Sequence, residues 1–385
     1  MDSVTLQEIN RLVRPEAKPL ATVYMTTHPT GQDGMQDELR LRHLLDQVEE
    51  WLKADGMRGP VARDAVQRAR ELVSHKNFWE FRSQGLALFL SENSCRAIRL
   101  PQRFEELVFV GDRFHVKPLL SHTSDTQRFL VLAFSQKRPR LLAGSLTELR
   151  EIDVPNMPAA IEMVLETEDV EHGTQMHSVA ISGGGNRRAG VFHGHGGERD
   201  TAKSQLETYC RDVNAALQPL LHDETAPLVV VAVGSVHALL RNELTYAHAL
   251  PQCVEGNPDH LSLHEMHELT WSAVQPSLDA PRRNALARLK DTLNTARSTT
   301  QISEVLRAAV GGQVDTVLVN RERHCWGKFD EPQLQVHIHE QPTRHDEDLL
   351  DTAIHLTLRH GGHAYLAAPD ELPDQAEIAA LYRFV

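Results

Sequence analysis

The first patterned stretch of the chain, Pro19–Thr27, is an apolar run that reads as a buried strand, closed by His28-Pro29 and the turn glycines Gly31 and Gly34. From Met35 to Lys53 the apolar positions Leu41, Leu44, Leu45, Val48 and Leu52 recur at helical spacing on one face. Asp55-Gly56 and Gly59-Pro60 break that helix, and Val61–His75 repeats the pattern with Ala62, Ala65, Val66, Ala69 and Leu72. Four short strands follow: Gly85–Leu90, Arg96–Leu100, Glu106–Val110 and Phe114–Lys117. The pattern predicts a β-α-α-β-β unit ending near Ser121–Asp125.

A second unit opens with the strand pair Arg128–Phe134 and Pro139–Ala143, joined by Ser135-Gln136-Lys137-Arg138, and a third strand over Glu148–Val154. Residues 156–200 are mostly polar and irregular. A helix is predicted over Thr201–Leu221, with Asp200 as N-cap and Leu206, Tyr209, Cys210, Val213, Leu217 and Leu220 as its apolar stripe. Pro227–Val233 is a β-branched run suited to a sheet covered on both faces, followed by a helix over Val236–Glu243. Leu263–Val274 and Arg282–Ala309 read as helical, separated by Pro276 and Pro281. The last part reads as helix Ile302–Val310, strands Val314–Asn320, His324–Phe329 and Leu334–Ile338, helix Asp346–His360 stopped by Gly361, and strand His363–Ala367. That alternation implies a small α/β/α sandwich. The fold class is mixed α/β (α+β) in three domains, residues 1–124, 125–280 and 281–385.

Against this background one stretch stands apart. Ser182–Asp200 holds seven glycines, three arginines and two histidines, with Val191 and Phe192 as its only large apolar residues. It cannot bury enough surface to offset its backbone entropy, and long loops inside compact domains tend to be functional or disordered. Its glycines let backbone N–H groups approach an oxyanion or phosphate, Arg187, Arg188 and Arg199 add planar donors, and the following helix presents its positive end. The plain alternative is a solvated surface loop.

Composition narrows the function. The 385 residues carry a net charge of −13, against a free-standing nonspecific nucleic-acid binder, so contact with RNA would rest on local patches. Aromatics are sparse at 5%. The four cysteines are scattered, with no zinc-ribbon spacing, which suits a reducing cytoplasm. No signal peptide or membrane span is expected. His264-Glu265-Met266-His267 resembles a zincin motif but is one residue short of the i, i+4 spacing that puts both imidazoles on one turn. His193 and His195, with His172 or His177, lack a supporting cysteine or carboxylate set, so no metal is expected. There is no P-loop, Gly194–Gly197 misses the third Rossmann glycine, and no Gly-x-Ser-x-Gly elbow occurs. No cofactor is implied.

The order of units resembles the archaeal and eukaryotic class-one release factor and Pelota superfamily, and within it the bacterial archaeo-eukaryotic release factors. The resemblance is carried by Gly85–Phe89, Phe114–Leu119, Phe129–Ala133 with Arg140–Leu142, His193–Gly197, Gly256–Asp259, Gln313–Leu318, Trp326-Gly327 and Asp348–Leu350, which span nearly the whole chain. It implies an N-terminal domain of the decoding-centre type, a ribonuclease-H-like middle domain and a C-terminal domain similar to the L7Ae fold. In such release factors the middle loop carries a Gly-Gly-Gln tip that enters the peptidyl transferase centre and positions water. Here the corresponding place reads Gly196-Gly197-Glu198, without glutamine. A Gly311-Gly312-Gln313 also occurs, but between a helix and a buried strand, where glycine serves as a helix stop. The family's stop-codon motifs, Asn-Ile-Lys-Ser and Tyr-x-Cys-x-x-x-Phe, are absent.

The resemblance thus implies a monomeric cytoplasmic factor at the ribosomal A site, acting in hibernation or rescue rather than codon-directed release. Its partners would be ribosomal RNA and a translational GTPase such as elongation factor Tu, with neither DNA nor membrane. The RNA-binding loop would comprise Arg187, Arg188, His193, Gly194, His195, Gly196, Gly197, Glu198 and Arg199. No catalytic residue is assigned. The enzymatic alternative is peptidyl-tRNA hydrolysis with Glu198 or His195 in place of glutamine. A nuclease reading would need clustered carboxylates on the central strands, and the strands over Arg128–Phe134 and Pro139–Ala143 carry none.

Overall fold

Strand β1 (Leu20–Thr26) sorts its side chains by alternation, sending Ala21, Val23 and Met25 to one face and Leu20 and Tyr24 to the other. It is central in an antiparallel sheet of order β3-β2-β1-β4, with β2 Gly85–Leu90, β3 Cys95–Leu100 and β4 Leu107–Gly111. Helices α2 (Asp33–Ala54) and α3 (Gly59–Ser74) cover the first face. The computed structural model describes residues 4–14, 20–28, 33–54, 56–80, 83–92, 94–122, 128–135, 137–158, 160, 197–340, 343 and 346–384. It separates into two units: Met1–Thr126 with Ala280–Val385, and Gln127–Asp279.

In the first unit the other face of the sheet shares one core with the C-terminal segment. Helix α1 (Leu6–Val13) contributes Ile9, Leu12 and Val13 to that core. Two sequence signals mark this helix: the apolar positions Leu6, Ile9, Leu12 and Val13 recur at helical spacing, and Thr5-x-x-Glu8 is a capping box, in which Glu8 N–H donates to Thr5 Oγ1 and Thr5 N–H to Glu8 Oε2, both at 3.0 Å. A short helix, α4 (Lys76–Glu80), precedes β2.

The C-terminal segment builds a sheet of order β10-β16-β11-β15, from Ser298–Thr299, Ile378–Tyr382, Val314–Asn320 and His363–Ala367. Helix α8 (Ala280–Thr292) covers one face, and α9 (Ile302–Val310) with α10 (Leu349–Arg359) the other, giving the expected α/β/α layering. A three-stranded sheet of β12 (Trp326–Asp330), β13 (Gln335–Ile338) and β14 (Glu347–Asp348) is set into it. The expected continuous helix over Arg282–Ala309 is broken. Asn294 takes a left-handed conformation (φ 63°), and the Thr295 and Ser298 hydroxyls donate to Thr292 O at 2.6 and 2.7 Å, competing with helix bonding. Strand β16 escapes the periodicity reading because a five-residue apolar run is ambiguous between strand and helix.

Phe114–Lys117 is not a strand, and the reason is chemical. Its donors go to side chains: His115 N–H to Thr22 Oγ1 at 3.0 Å, and Val116 and Lys117 N–H to Asp351 Oδ1 at 2.9 and 2.6 Å. Pro118 has no donor, and a 3-10 turn starts at Lys117. His355 Nε2 donates to Phe114 O at 2.6 Å. Burial, then the neighbouring Asp348 charge, push the Asp351 carboxyl well above the usual range, and burial pushes the His355 imidazole down to about 4. A buried polar seam therefore runs between the two segments of this unit.

Candidate functional site

The second unit is a five-stranded sheet of order β7-β6-β5-β8-β9, from Leu149–Ile152, Arg140–Gly144, Phe129–Ala133, Leu228–Ala232 and Ala249–Glu255. Strands β5, β6 and β7 are antiparallel, while β8 and β9 run parallel to β5, the arrangement of the ribonuclease-H-like fold. Both faces of the central pair are covered. Leu130, Leu132, Leu228 and Val230 meet α5 (Gly197–Leu221) and α6 (Gly234–Glu243), while Val131, Ala133, Val229 and Val231 meet α7 (Leu263–Leu278). This explains the unbroken Val-Val-Val of β8. Strand β9 went unseen in the sequence because Pro251 interrupts it. An edge position tolerates the missing donor.

In the chain, β7 precedes the Gly/Arg/His stretch and α5 takes it up, beginning at Gly197 rather than at Thr201. Gly197, Glu198 and Arg199 are therefore helical, and Asp200 lies inside the helix rather than capping it. Arg187, Arg188, His193, Gly194, His195 and Gly196 lie outside the described residues. Along α5 the first fully buried side chain among the described ones is Tyr209. Roughly 18 Å of helix lies between Gly197 and this point, with Leu206 already packed against the core. Tyr209 holds that point, with its ring 5.6 Å from Phe134 and its hydroxyl donating to Ser135 O at 3.4 Å.

Beside this anchor the β5–β6 turn carries a basic run that periodicity did not flag, Lys137-Arg138-Pro139-Arg140. It lines a cleft of about 700 Å³ together with Glu151 and Met157. Arg138 pairs with Glu151 at 2.7 Å and Arg140 donates to Pro258 O at 3.1 Å, while Lys137 is exposed. Ser135 Oγ donates to Asp259 at 3.0 Å, tying the turn to the Gly256–Asp259 segment. Polar chemistry here is suited to holding an anionic chain. Nucleophilic chemistry is not prepared: burial pushes the Cys210 thiol up to about 12 and raises Cys253. Strands β5, β6 and β8 carry no carboxylate.

The near-zincin histidines take different partners. His264 faces Glu268 at 3.7 Å, and His267 donates to Ser145 O at 2.9 Å while stacking on Trp271. In the other unit, Gly311-Gly312-Gln313 ends α9. Gly312 has φ +68°, its N–H reaches Ala309 O at 3.1 Å, and Gln313 N–H reaches Ala308 O at 3.0 Å before β11 begins. This is the helix stop expected from its position.

Residues 128–313 match the model of Bacterial archaeo-eukaryotic release factor family 3. The match covers the whole five-stranded sheet. Among solved structures, an archaeal translation termination factor, aRF1, is 15% identical with a TM-score of 0.24, over 99% of each chain. Pelota from Archaeoglobus fulgidus is 15% identical with a TM-score of 0.31, over 78% of this chain and 79% of its own. Dom34 of S. cerevisiae, a translation termination-like factor, is 11% identical with a TM-score of 0.39, over 77% and 74%. No curated protein matches the chain.

Proposed function

We propose, from the match of residues 128–313 to bacterial archaeo-eukaryotic release factor family 3, that this chain binds the ribosomal A site in hibernation or rescue, without codon-directed release. That match is the observation that carries the proposal, because it spans the sheet, the Ser182–Asp200 stretch and the helix that follows. In this reading Arg187, Arg188, His193 to Gly196 and the first turn of α5 through Arg199 contact ribosomal RNA. Residues 125–280 act as the central domain of a cytoplasmic monomer, while 1–124 and 281–385, the two segments of the first unit, supply its decoding-side and GTPase-docking surfaces, with elongation factor Tu as the GTPase. Two observations favour a non-hydrolytic role: glutamine is missing at Gly196-Gly197-Glu198, and the Gly311-Gly312-Gln313 segment serves as a helix stop. The test is sedimentation of the full chain with ribosomes from growing and from starved cells. Co-sedimentation that weakens as salt is raised is expected. Absence from every ribosomal fraction at low salt overturns the proposal.

The hydrolase reading has one observation on its side. With α5 starting at Gly197, Glu198 lies in the first helical turn, and a carboxylate can act as a general base. Release of labelled peptide from stalled ribosomes, abolished by Glu198→Ala, would establish that reading in place of ours.

A further inference from the structure

We propose that His115, His324 and Asp348 form a zinc site that ties the N-terminal segment of the first unit to its C-terminal segment. Among the described residues this is the one group of three potential ligands whose donor atoms all lie within 4.8 Å of one another. Two imidazoles and one carboxylate are a donor set that suits zinc, whose fourth position water commonly fills. His115 is 1% exposed, and its Nε2 has no hydrogen-bond partner. A buried nitrogen left in that state is costly, and metal ligation satisfies it. Its Nδ1 lies 3.7 Å from Asp351 Oδ2, too far for a hydrogen bond.

The ligands are held in place before any metal arrives. The His115 backbone is fixed at both ends, by Thr22 Oγ1 and by the Tyr24 hydroxyl donating to its carbonyl at 2.7 Å. Asp348 Oδ1 accepts the N–H groups of Cys325 and Leu350, each at 3.1 Å. His324 Nδ1 lies 2.7 Å from Asp348 Oδ2, and its ring stacks on Trp326. The contacts from Thr22, Tyr24, Cys325 and Leu350 orient ligands and tune affinity, while the His324–Asp348 hydrogen bond joins two of the ligands and gives way when the metal binds. His324 is exposed and gives the metal a route in.

One group opposes the metal. The Lys117 ammonium lies 3.8 Å from Asp348 Oδ2 and also donates to Arg323 O. It competes for the carboxylate, so affinity should be moderate, and Lys117→Met should tighten binding tenfold or more.

The experiment is equilibrium dialysis of the full chain against Zn²⁺ near neutral pH, with elemental analysis and thermal unfolding. One zinc per chain is expected, with Tm rising as Zn²⁺ is added. His324→Ala, at an exposed position that spares the core, should weaken binding by roughly tenfold or more and remove the Tm rise. A His193→Ala/His195→Ala double variant should bind as the parent does. No stoichiometric zinc in the parent chain, uptake unchanged by His324→Ala, or uptake lost in the double variant would each overturn the proposal.

Discussion

The sheet of Gln127–Asp279 and the seam of the other unit fill their buried positions in opposite ways. Around β5 and β8 every strand residue is apolar and both faces are covered by helices. Around Phe114–Lys117 the interior holds Tyr24, His115, Lys117, Asp348, Asp351 and His355, each buried and most of them hydrogen-bonded. The first is a scaffold that tolerates exchange of one apolar residue for another of similar volume. The second depends on partners from sequence positions more than 200 residues apart, so one deletion leaves several groups unsatisfied.

The sharpest way to break this comparison is Asp351→Ala. It strips the acceptor from two buried N–H groups and should lower unfolding free energy by about 4 kcal/mol in urea titration. A loss below about 1 kcal/mol would make the seam incidental. Next comes Leu132→Ala in the apolar sheet, where a fully buried side chain is truncated and about 3 kcal/mol should be lost. Leu132→Met should cost less than about 1.5 kcal/mol, since volume is kept. At Gly312, alanine meets a φ of +68° and the His360 ring 3.3 Å from its Cβ, so a loss of roughly 1–2 kcal/mol is expected. Thr5→Ala removes half of the α1 capping box and should cost about 1 kcal/mol, measured the same way.

The same contrast decides what could be read in the sequence. The apolar scaffold was legible because its rules are local: Val-Val-Val over β8 and the Tyr209, Cys210, Val213, Leu217 stripe of α5 follow period two and period 3.6. Gly85–Leu90, Val314–Asn320 and His363–Ala367 are strands over the residues expected. The seam was not legible, since nothing near Phe114–Lys117 in the chain says that Asp351 will take its amides. Its apolar–polar alternation mimics a strand. The metal ligands were hidden for the same reason: His115, His324 and Asp348 have no motif spacing. At the candidate interface, the glycines and arginines of Ser182–Asp200 drew notice by composition. The basic Lys137–Arg140 turn did not, because its relation to α5 appears only when the sheet is assembled.

The central claim is that the middle unit carries its loop into the ribosome. Cryo-electron microscopy of the full chain mixed with idle ribosomes tests it most directly. The account predicts density in the A site, with the residues before α5 directed toward the peptidyl transferase centre. Ribosomes with an unoccupied A site under conditions where the chain is in excess, or density for it elsewhere on the particle, would contradict it.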